Sequence, residues 1–500
     1  MDNKHQLEYV RPEAVGIDIN GILSFVSEAS NSRLYLNSMM LLRHGKIVTE
    51  LYWSPFSADK KHNIYSCTKS FTSTAVGLAI GEGLFSLDDK IVDLLPKKLK
   101  GNPHPYIAAL RVRHLLTMCT SYSIFQDPVT DDWTAEFLNS KPDHYPGTIF
   151  CYDTSGTHTL GEIVETLSGC SLEEYLKPRL FEPLGIDDYE WEIGPMGIRR
   201  GGGGLRINTQ AMARFGLLYA NGGVFNNRRI LPREWVELST ACHVDASNDF
   251  WAGDNLGYGF QFWRLRNNSF ACMGLGGQSI LILPDKDVVF VVTANTMRES
   301  GGAEVLELFW GHIYPKIAKD ALPPNEKLGA ELERRSASLQ CGLPEGSAWN
   351  DKLGNLFGRK YALQPNPIGY QSFQLDVGDS RGRLTLYKDR REDIVEFGLG
   401  TYIDSAAPFQ QYASPVQTWG KYTFIDDPEP RRRCRCGSAA VWVDEQTLVV
   451  LCHLTQTVQS FMVKCHFGSE AIVIQITPVG VYDYPFLPCA LTHMKKGSLA

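Results

Sequence analysis

A serine and a lysine three positions apart, in Ser66-Cys67-Thr68-Lys69, stand between a predicted strand pair and a predicted helix. A serine hydroxyl is a weak nucleophile until a neighbouring base takes its proton. Side chains three apart on a helix lie on one face, about a turn from each other. A lysine kept from water there loses its proton more readily and can activate the hydroxyl. The start of a helix also favours the negative charge that grows on an attacked carbonyl oxygen. Ser-x-x-Lys also describes ordinary solvated helix starts, so its meaning depends on what accompanies it.

Two further stretches accompany it. Phe150-Cys151-Tyr152-Asp153-Thr154-Ser155-Gly156 places a tyrosine where a positioned lysine could share a proton with it, as a general base and acid. Alone, Tyr152 reads as a packed loop aromatic. Gly274-Leu275-Gly276-Gly277-Gln278 precedes a predicted strand. Glycines there let a substrate approach the backbone, so that an N–H can face a developing oxyanion. Alone, they read as a tight turn between strands.

The elements that must position these residues can be read from periodicity. Asn37 to Trp53 reads as strand, His44-Gly45-Lys46 turn, strand. Ser70 to Ile80 carries apolar residues at helical spacing and stops at Gly81 and Gly83, so Ser66 is expected to open that helix. Helices are predicted at Val112–Thr117, Trp133–Leu138, Thr157–Leu167 and Leu172–Leu180. Gly201 to Gly204 interrupts the pattern, and Thr209 is read as the N-cap of the next helix. Strands follow at Gly259–Leu265, Ser269–Met273, Ser279–Leu283 and Val288–Ala294, then a last helix from about Gly302 to Ile317. Ile280 to Thr293 is apolar but short and broken by Pro284, Asp285 and Asp287, as in a buried hairpin rather than a membrane span.

Strands at both ends with helices between predict an α/β (α+β) domain over 1–335. One antiparallel sheet would be assembled from both ends, with a helical insertion at about 96–200. Residues 320–348, with Pro323-Pro324-Asn325 and the charged Glu331 to Arg335, read as a linker. Short alternating segments beyond it, from Phe373–Val377 to Ala471–Ile476, predict a small all-β domain over 345–500, a barrel or a sandwich.

Composition narrows the function. The chain has 500 residues, 43% hydrophobic and 21% charged, with a net charge of -7. That balance offers no basic footprint for nucleic acid or for an anionic membrane. Arg431-Arg432-Arg433 reads as solvated loop. Met1 to Gly21 is polar and lacks the apolar stretch of an export signal. With twelve cysteines at irregular spacing, this predicts a cytoplasmic protein with reduced thiols. Cys434-x-Cys436, Cys452-His453 and Cys465-His466 match no common zinc spacing, so no metal is expected.

The three motifs, in this order and at these separations, resemble those of the penicillin-recognising serine hydrolases. The resemblance is closest to the class C β-lactamase-like group, with its D-alanyl-D-alanine carboxypeptidases, D-aminopeptidases, esterases and 6-aminohexanoate-dimer hydrolases. Stretches such as YSCTKSFTSTAVGLAIGEGLFSLDDKI, YDTSGTHTLGEIVETLSGCSLEEYLKPRLFEPLGI and GGGGLRINTQAMARFGLLYANGG carry it across most of residues 10–320. The resemblance implies a site between a sheet domain and a helical subdomain. It implies Ser66 as the acylated nucleophile, and Lys69 as the group that takes its proton or holds Tyr152 as phenolate. Tyr152 would be the relay to the leaving group and later to water. The backbone N–H groups of Ser66 and Gln278 would form the oxyanion hole, with Thr154, Leu275, Gly276 and Gly277 along the substrate. No cofactor is implied.

Two positions depart from the group. Thr154 stands where Tyr-x-Asn has its asparagine, and a hydroxyl cannot present an amide's donors and acceptor together. Leu275-Gly276-Gly277 stands where Lys-Thr-Gly is usual, and Leu275 cannot pair with a substrate carboxylate. These changes point to a small, less anionic ester, amide or peptide substrate and to weak or no β-lactamase activity. The competing reading is a catalytically weak ligand-binding or sensor protein using the same pocket. A third is a peptidase whose C-terminal β domain restricts access to the cleft.

Overall fold

A computed structural model describes residues 6–32, 34–123, 130–247, 256–296, 302–350, 354, 356–366, 369–408, 434–479 and 489–494. The arginine run at 431–433 lies outside them. The first sheet has seven strands, all antiparallel. Their order is Lys46–Tyr52, Leu36–Arg43, Val288–Ala294, Gln278–Leu283, Phe270–Gly274, Trp263–Arg264 and Gly257–Tyr258. The N-terminal hairpin therefore pairs with the last strand of the region, Met40 facing Val291. The sheet is assembled from both ends of the segment, as the sequence predicts.

The central strands Gln278–Leu283 and Val288–Ala294 are buried throughout, because helices cover both faces. One face carries Met40, Leu42, Ile280, Ile282, Val289 and Val291 against Phe71, Ala75, Phe215 and Leu218 of the Thr68–Gly81 and Thr209–Ala220 helices. The other carries Met39, Leu41, Leu281, Phe290 and Val292 against Phe25 of the Ile19–Asn31 helix and against Phe309 and Ile313. Successive strand residues point to opposite faces, so the unbroken apolar run serves two cores.

Several local features differ from the sequence reading. Ser66 lies in a 3-10 turn, Tyr65–Cys67, that leads directly into the Thr68–Gly81 helix. Asn208, not Thr209, caps the Thr209–Ala220 helix, its side chain accepting from the Ala211 N–H; an amide oxygen one residue earlier reaches that orphan donor. Gly259–Leu265 is not a continuous strand. It bends at Gln261, whose φ is 67°. The charged stretch read as linker contains the Glu326–Ser336 helix, tied to the first helix by Arg335 Nη1 donating to Ser27 Oγ at 2.5 Å.

Beyond residue 358 the strands join one ten-stranded sheet, antiparallel except where Arg391–Leu399 runs parallel to Cys434–Trp442. Its core follows period two: Phe373 and Leu375, Leu384 and Leu386, Val395 and Phe397, Val450 and Cys452, Val463 and Cys465, Ile472 and Ile474. That alternation is what made these strands readable. No helix among the described residues is long and apolar enough to cross a membrane, and the described cysteines are free.

Candidate active site

The chain approaches Ser66 through a strained turn. Tyr65 adopts a left-handed φ of 47°, uncommon for a bulky side chain. Asn63 supports it: its Oδ1 accepts from the Tyr65 N–H at 2.8 Å, and its Nδ2 donates to Glu192 Oε1 at 3.3 Å. The far side of the turn touches the sheet. The Cys67 thiol donates to the Gln278 carbonyl at 3.4 Å. A Cβ on Gly274 would lie 2.3 Å from the Ile64 carbonyl and 3.2 Å from the Ser66 N. Only a residue without a side chain fits there.

Lys69 is 1% exposed. Its ammonium donates to three oxygens: Ser66 Oγ at 3.0 Å, Thr154 Oγ1 at 3.1 Å and the Gly202 carbonyl at 2.7 Å. An ammonium has three donors, so each is used. Burial, aided by the nearby Arg200 guanidinium, lowers the Lys69 pKa from the usual lysine value to about 7, against the pull of Asp153. Neutral lysine is therefore well populated near pH 7, with its lone pair available to the Ser66 hydroxyl.

The helical region supplies the opposite wall. Asp153 caps the Thr154–Ser168 helix, accepting from the Ser155 and Gly156 N–H groups at 2.8 and 3.3 Å, and burial raises its own pKa. This cap fixes Thr154 over Lys69. The Tyr152 ring lies beside the same ammonium, its centroid 5.0 Å from Nζ, and stacks on Trp263 at 5.5 Å. Gln261 ties the walls together. Its Nε2 donates to the Leu115 and Leu116 carbonyls, its Oε1 accepts from Thr157, and its carbonyl accepts from Ser70 of the Thr68–Gly81 helix at 2.7 Å.

Leu275, Gly276 and Gly277 form the turn between the Phe270–Gly274 and Gln278–Leu283 strands. Leu275 is half-buried. The Gln278 side chain points into the protein and pins the turn, donating to the Leu275 and Ala294 carbonyls at 3.0 and 2.6 Å. Gln278 is fully buried and faces Gly274 across the hairpin.

Sequence reasoning named Ser66, Lys69, Tyr152, Thr154 and the 275–278 turn; the fold sets Ser66, Thr154 and the Tyr152 ring around Lys69, and the turn meets the segment after Ser66 where Cys67 reaches the Gln278 carbonyl. Sequence reasoning missed the Gly202 carbonyl, Arg200, Asn63 and Gln261. The run Gly201–Gly204 was the available signal, noticed only as a break in helical pattern. Thr72 Oγ1 donates to the Gly201 carbonyl at 2.6 Å, so that run lies along the Thr68–Gly81 helix. Arg200 is itself held by Glu192 at 2.5 Å.

A family model described as beta-lactamase matches residues 37–309, which hold every residue of this site and all but the first residue of the seven-stranded sheet. The chain belongs to the beta-lactamase family. Proteins named as hydrolases are among those it is similar to. It is 24% identical to the 6-aminohexanoate-dimer hydrolase of Paenarthrobacter ureafaciens over 283 residues, 51% of this chain and 71% of that protein. It is 27% identical to the lovastatin esterase of Penicillium rubens over 208 residues, 32% of this chain and 52% of that one. In fold it matches EstCE1, a hydrolase with promiscuous acyltransferase activity, at a TM-score of 0.50 and 15% identity, over 59% of this chain and 97% of that one.

Proposed function

We propose that this protein is a serine hydrolase that cleaves small, uncharged esters or amides through an acyl-enzyme on Ser66. The observation that carries the reading is the buried Lys69, brought down to about 7 and 3.0 Å from the Ser66 hydroxyl. Neutral Lys69 takes the Ser66 proton as Oγ bonds to the substrate carbonyl carbon. The carbonyl oxygen becomes an oxyanion, received by the Ser66 and Gln278 N–H groups. The tetrahedral adduct collapses and its bond to the alcohol or amine breaks. That leaving group takes the proton from Lys69 by way of the Tyr152 hydroxyl. Water then attacks the acyl ester, giving its proton back along the same route, and Ser66 is restored.

Thr154 accepts from Lys69 and keeps the ammonium in place, which is the part of an asparagine's work that a hydroxyl can do. Leu275 and the glycines offer no cation for a substrate carboxylate. The relatives named as an esterase and as a 6-aminohexanoate-dimer hydrolase are consistent with ester or amide chemistry. Lack of a cation at 275 is the reason to expect weak β-lactamase turnover. A reducing cytoplasm remains the proposed compartment. The test is a hydrolysis panel of neutral nitrophenyl esters and anilides beside carboxylate-bearing penicillins and cephalosporins, with wild type and Ser66→Ala. The reading expects neutral substrates to lead and Ser66→Ala to lose at least about 10³-fold. Full activity in Ser66→Ala would overturn it.

A further inference from the structure

The C-terminal sheet reaches the site through one turn. Residues 455–459 join the Thr447–Leu454 and Ser460–Phe467 strands, and their backbone is bonded to the chain just before Ser66. The Asn63 N–H donates to the Gln456 carbonyl at 2.9 Å. The His62 Nδ1 lies 3.3 Å from the Thr455 carbonyl. The Val458 N–H donates to the Tyr65 hydroxyl at 3.2 Å. On the sheet side, Asn295 Nδ2 donates to Ser460 Oγ at 3.4 Å. The left-handed backbone at Tyr65 turns its ring toward this segment, so the strain before the nucleophile also serves the turn.

Val458 is 2% exposed. A Cβ built on Gly276 would lie 2.5 Å from its Cγ1. The isopropyl group of Val458 thus fills the space that a side chain at the middle of Leu275-Gly276-Gly277 would take. Gly274, at the start of the same turn, lies against the Ser66 N–H. A substrate whose carbonyl sits between Ser66 and Gln278, as proposed above, would approach this turn. Where Gly276 meets Val458, the turn has a buried apolar contact with the distant sheet.

We propose that the 455–459 turn is a specificity element in which Val458 limits the thickness of the acyl group beside the scissile carbonyl. Slender, uncharged acyl chains fit; acyl groups branched at the carbon next to the carbonyl do not. Tyr65 is a positioning residue that holds Val458 there. The inference rests on Ser66 being the nucleophile.

The experiment compares kcat/KM for p-nitrophenyl butyrate and p-nitrophenyl pivalate with the full chain, its Val458→Ala and Val458→Ile variants, and Tyr65→Phe. Acylation of Ser66 is followed by intact mass. Pocket discrimination by one or two methyl groups is worth about tenfold or more. The pivalate-to-butyrate ratio should therefore rise about tenfold in Val458→Ala and fall in Val458→Ile. Tyr65→Phe should raise it less, with the midpoint of the pH profile unmoved. A ratio constant within about twofold across both Val458 variants, with Ser66 still acylated, would show that Val458 is only packing between the sheets and would overturn the proposal. If neither ester acylates Ser66 in any form, the nucleophile assignment fails first and this inference falls with it. The two failures are distinguishable by mass.

Discussion

At the scale of single residues, chemistry concentrates on Lys69. Its three acceptors and its burial leave it able to lose a proton near neutrality. The rate of acylation should rise with pH through a midpoint of about 7, as the neutral amine appears. A pH profile of kcat/KM for a neutral ester checks this; an acid limb that persists unchanged in Lys69→Ala would assign the titration elsewhere. The same shift has a stability sign. The unfolded chain holds the Lys69 proton up to the usual lysine pKa, and the native chain releases it near 7, so the native state gains stability as pH rises across that window. Leu275 is the second residue of interest. Leu275→Lys should raise the turnover of carboxylate-bearing substrates relative to neutral ones, read as a ratio of kcat/KM values. An unmoved ratio would remove the argument from that position. Ser66, Lys69 and Tyr152 were legible because their spacing carries a mechanism. Gly202 was not, because a backbone carbonyl has no side chain to identify it and its partner lies far away in sequence.

At the scale of elements, what holds the site is a set of buried polar struts. Gln261 bends its strand and joins three helices through four hydrogen bonds. Gln261→Ala should lower stability by about 2–4 kcal/mol, since it leaves buried carbonyls and a hydroxyl unpaired. Denaturant unfolding measures this, and a cost below about 0.5 kcal/mol would contradict the strut. The sequence read as a strand at 259–265 because its aromatic residues alternate with others. The bend comes from the Leu115 and Leu116 carbonyls and from Thr157, which no local pattern could reveal. The two central strands were legible for the opposite reason, as unbroken β-branched runs bounded by turn residues. The helix at Glu326–Ser336 was hidden by its charge. Leu332 packs against the core, and Arg335 and Arg11, the latter bonded to Glu326 at 2.7 Å, help tie it down.

At the scale of the whole molecule, the question is how the C-terminal sheet and the hydrolase fold work together. The expected division near residues 335–345 separates two sets of strands. Contacts from His62, Asn63, Tyr65 and Asn295 to 455–460 cross it beside Ser66. Calorimetry should show the two unfolding together, and two well-separated transitions would contradict the coupling. Buried histidines lie on both sides of the junction. Burial lowers the pKa of His62 and His453 to about 4 and of His158 to about 3. The unfolded chain binds these protons from about pH 6.5 downward while the native chain does not. Stability should therefore fall as pH drops from about 6.5 to 4. His453 bridges Ser460 Oγ at 2.6 Å and the Tyr402 hydroxyl at 3.0 Å. The sequence marked this histidine only as a rejected zinc neighbour. The role of the C-terminal strands in the site was illegible because a turn's destination depends on packing between sheets, not on its own residues.

The central claim is that Lys69 makes Ser66 an activated nucleophile. Intact-mass labelling with a fluorophosphonate, on wild type and Ser66→Ala, tests it most directly. One adduct is expected on the native chain, formed faster above pH 7 than below it, and none on Ser66→Ala. A well-folded native chain that takes no adduct, or a Ser66→Ala chain that labels equally well, would contradict it.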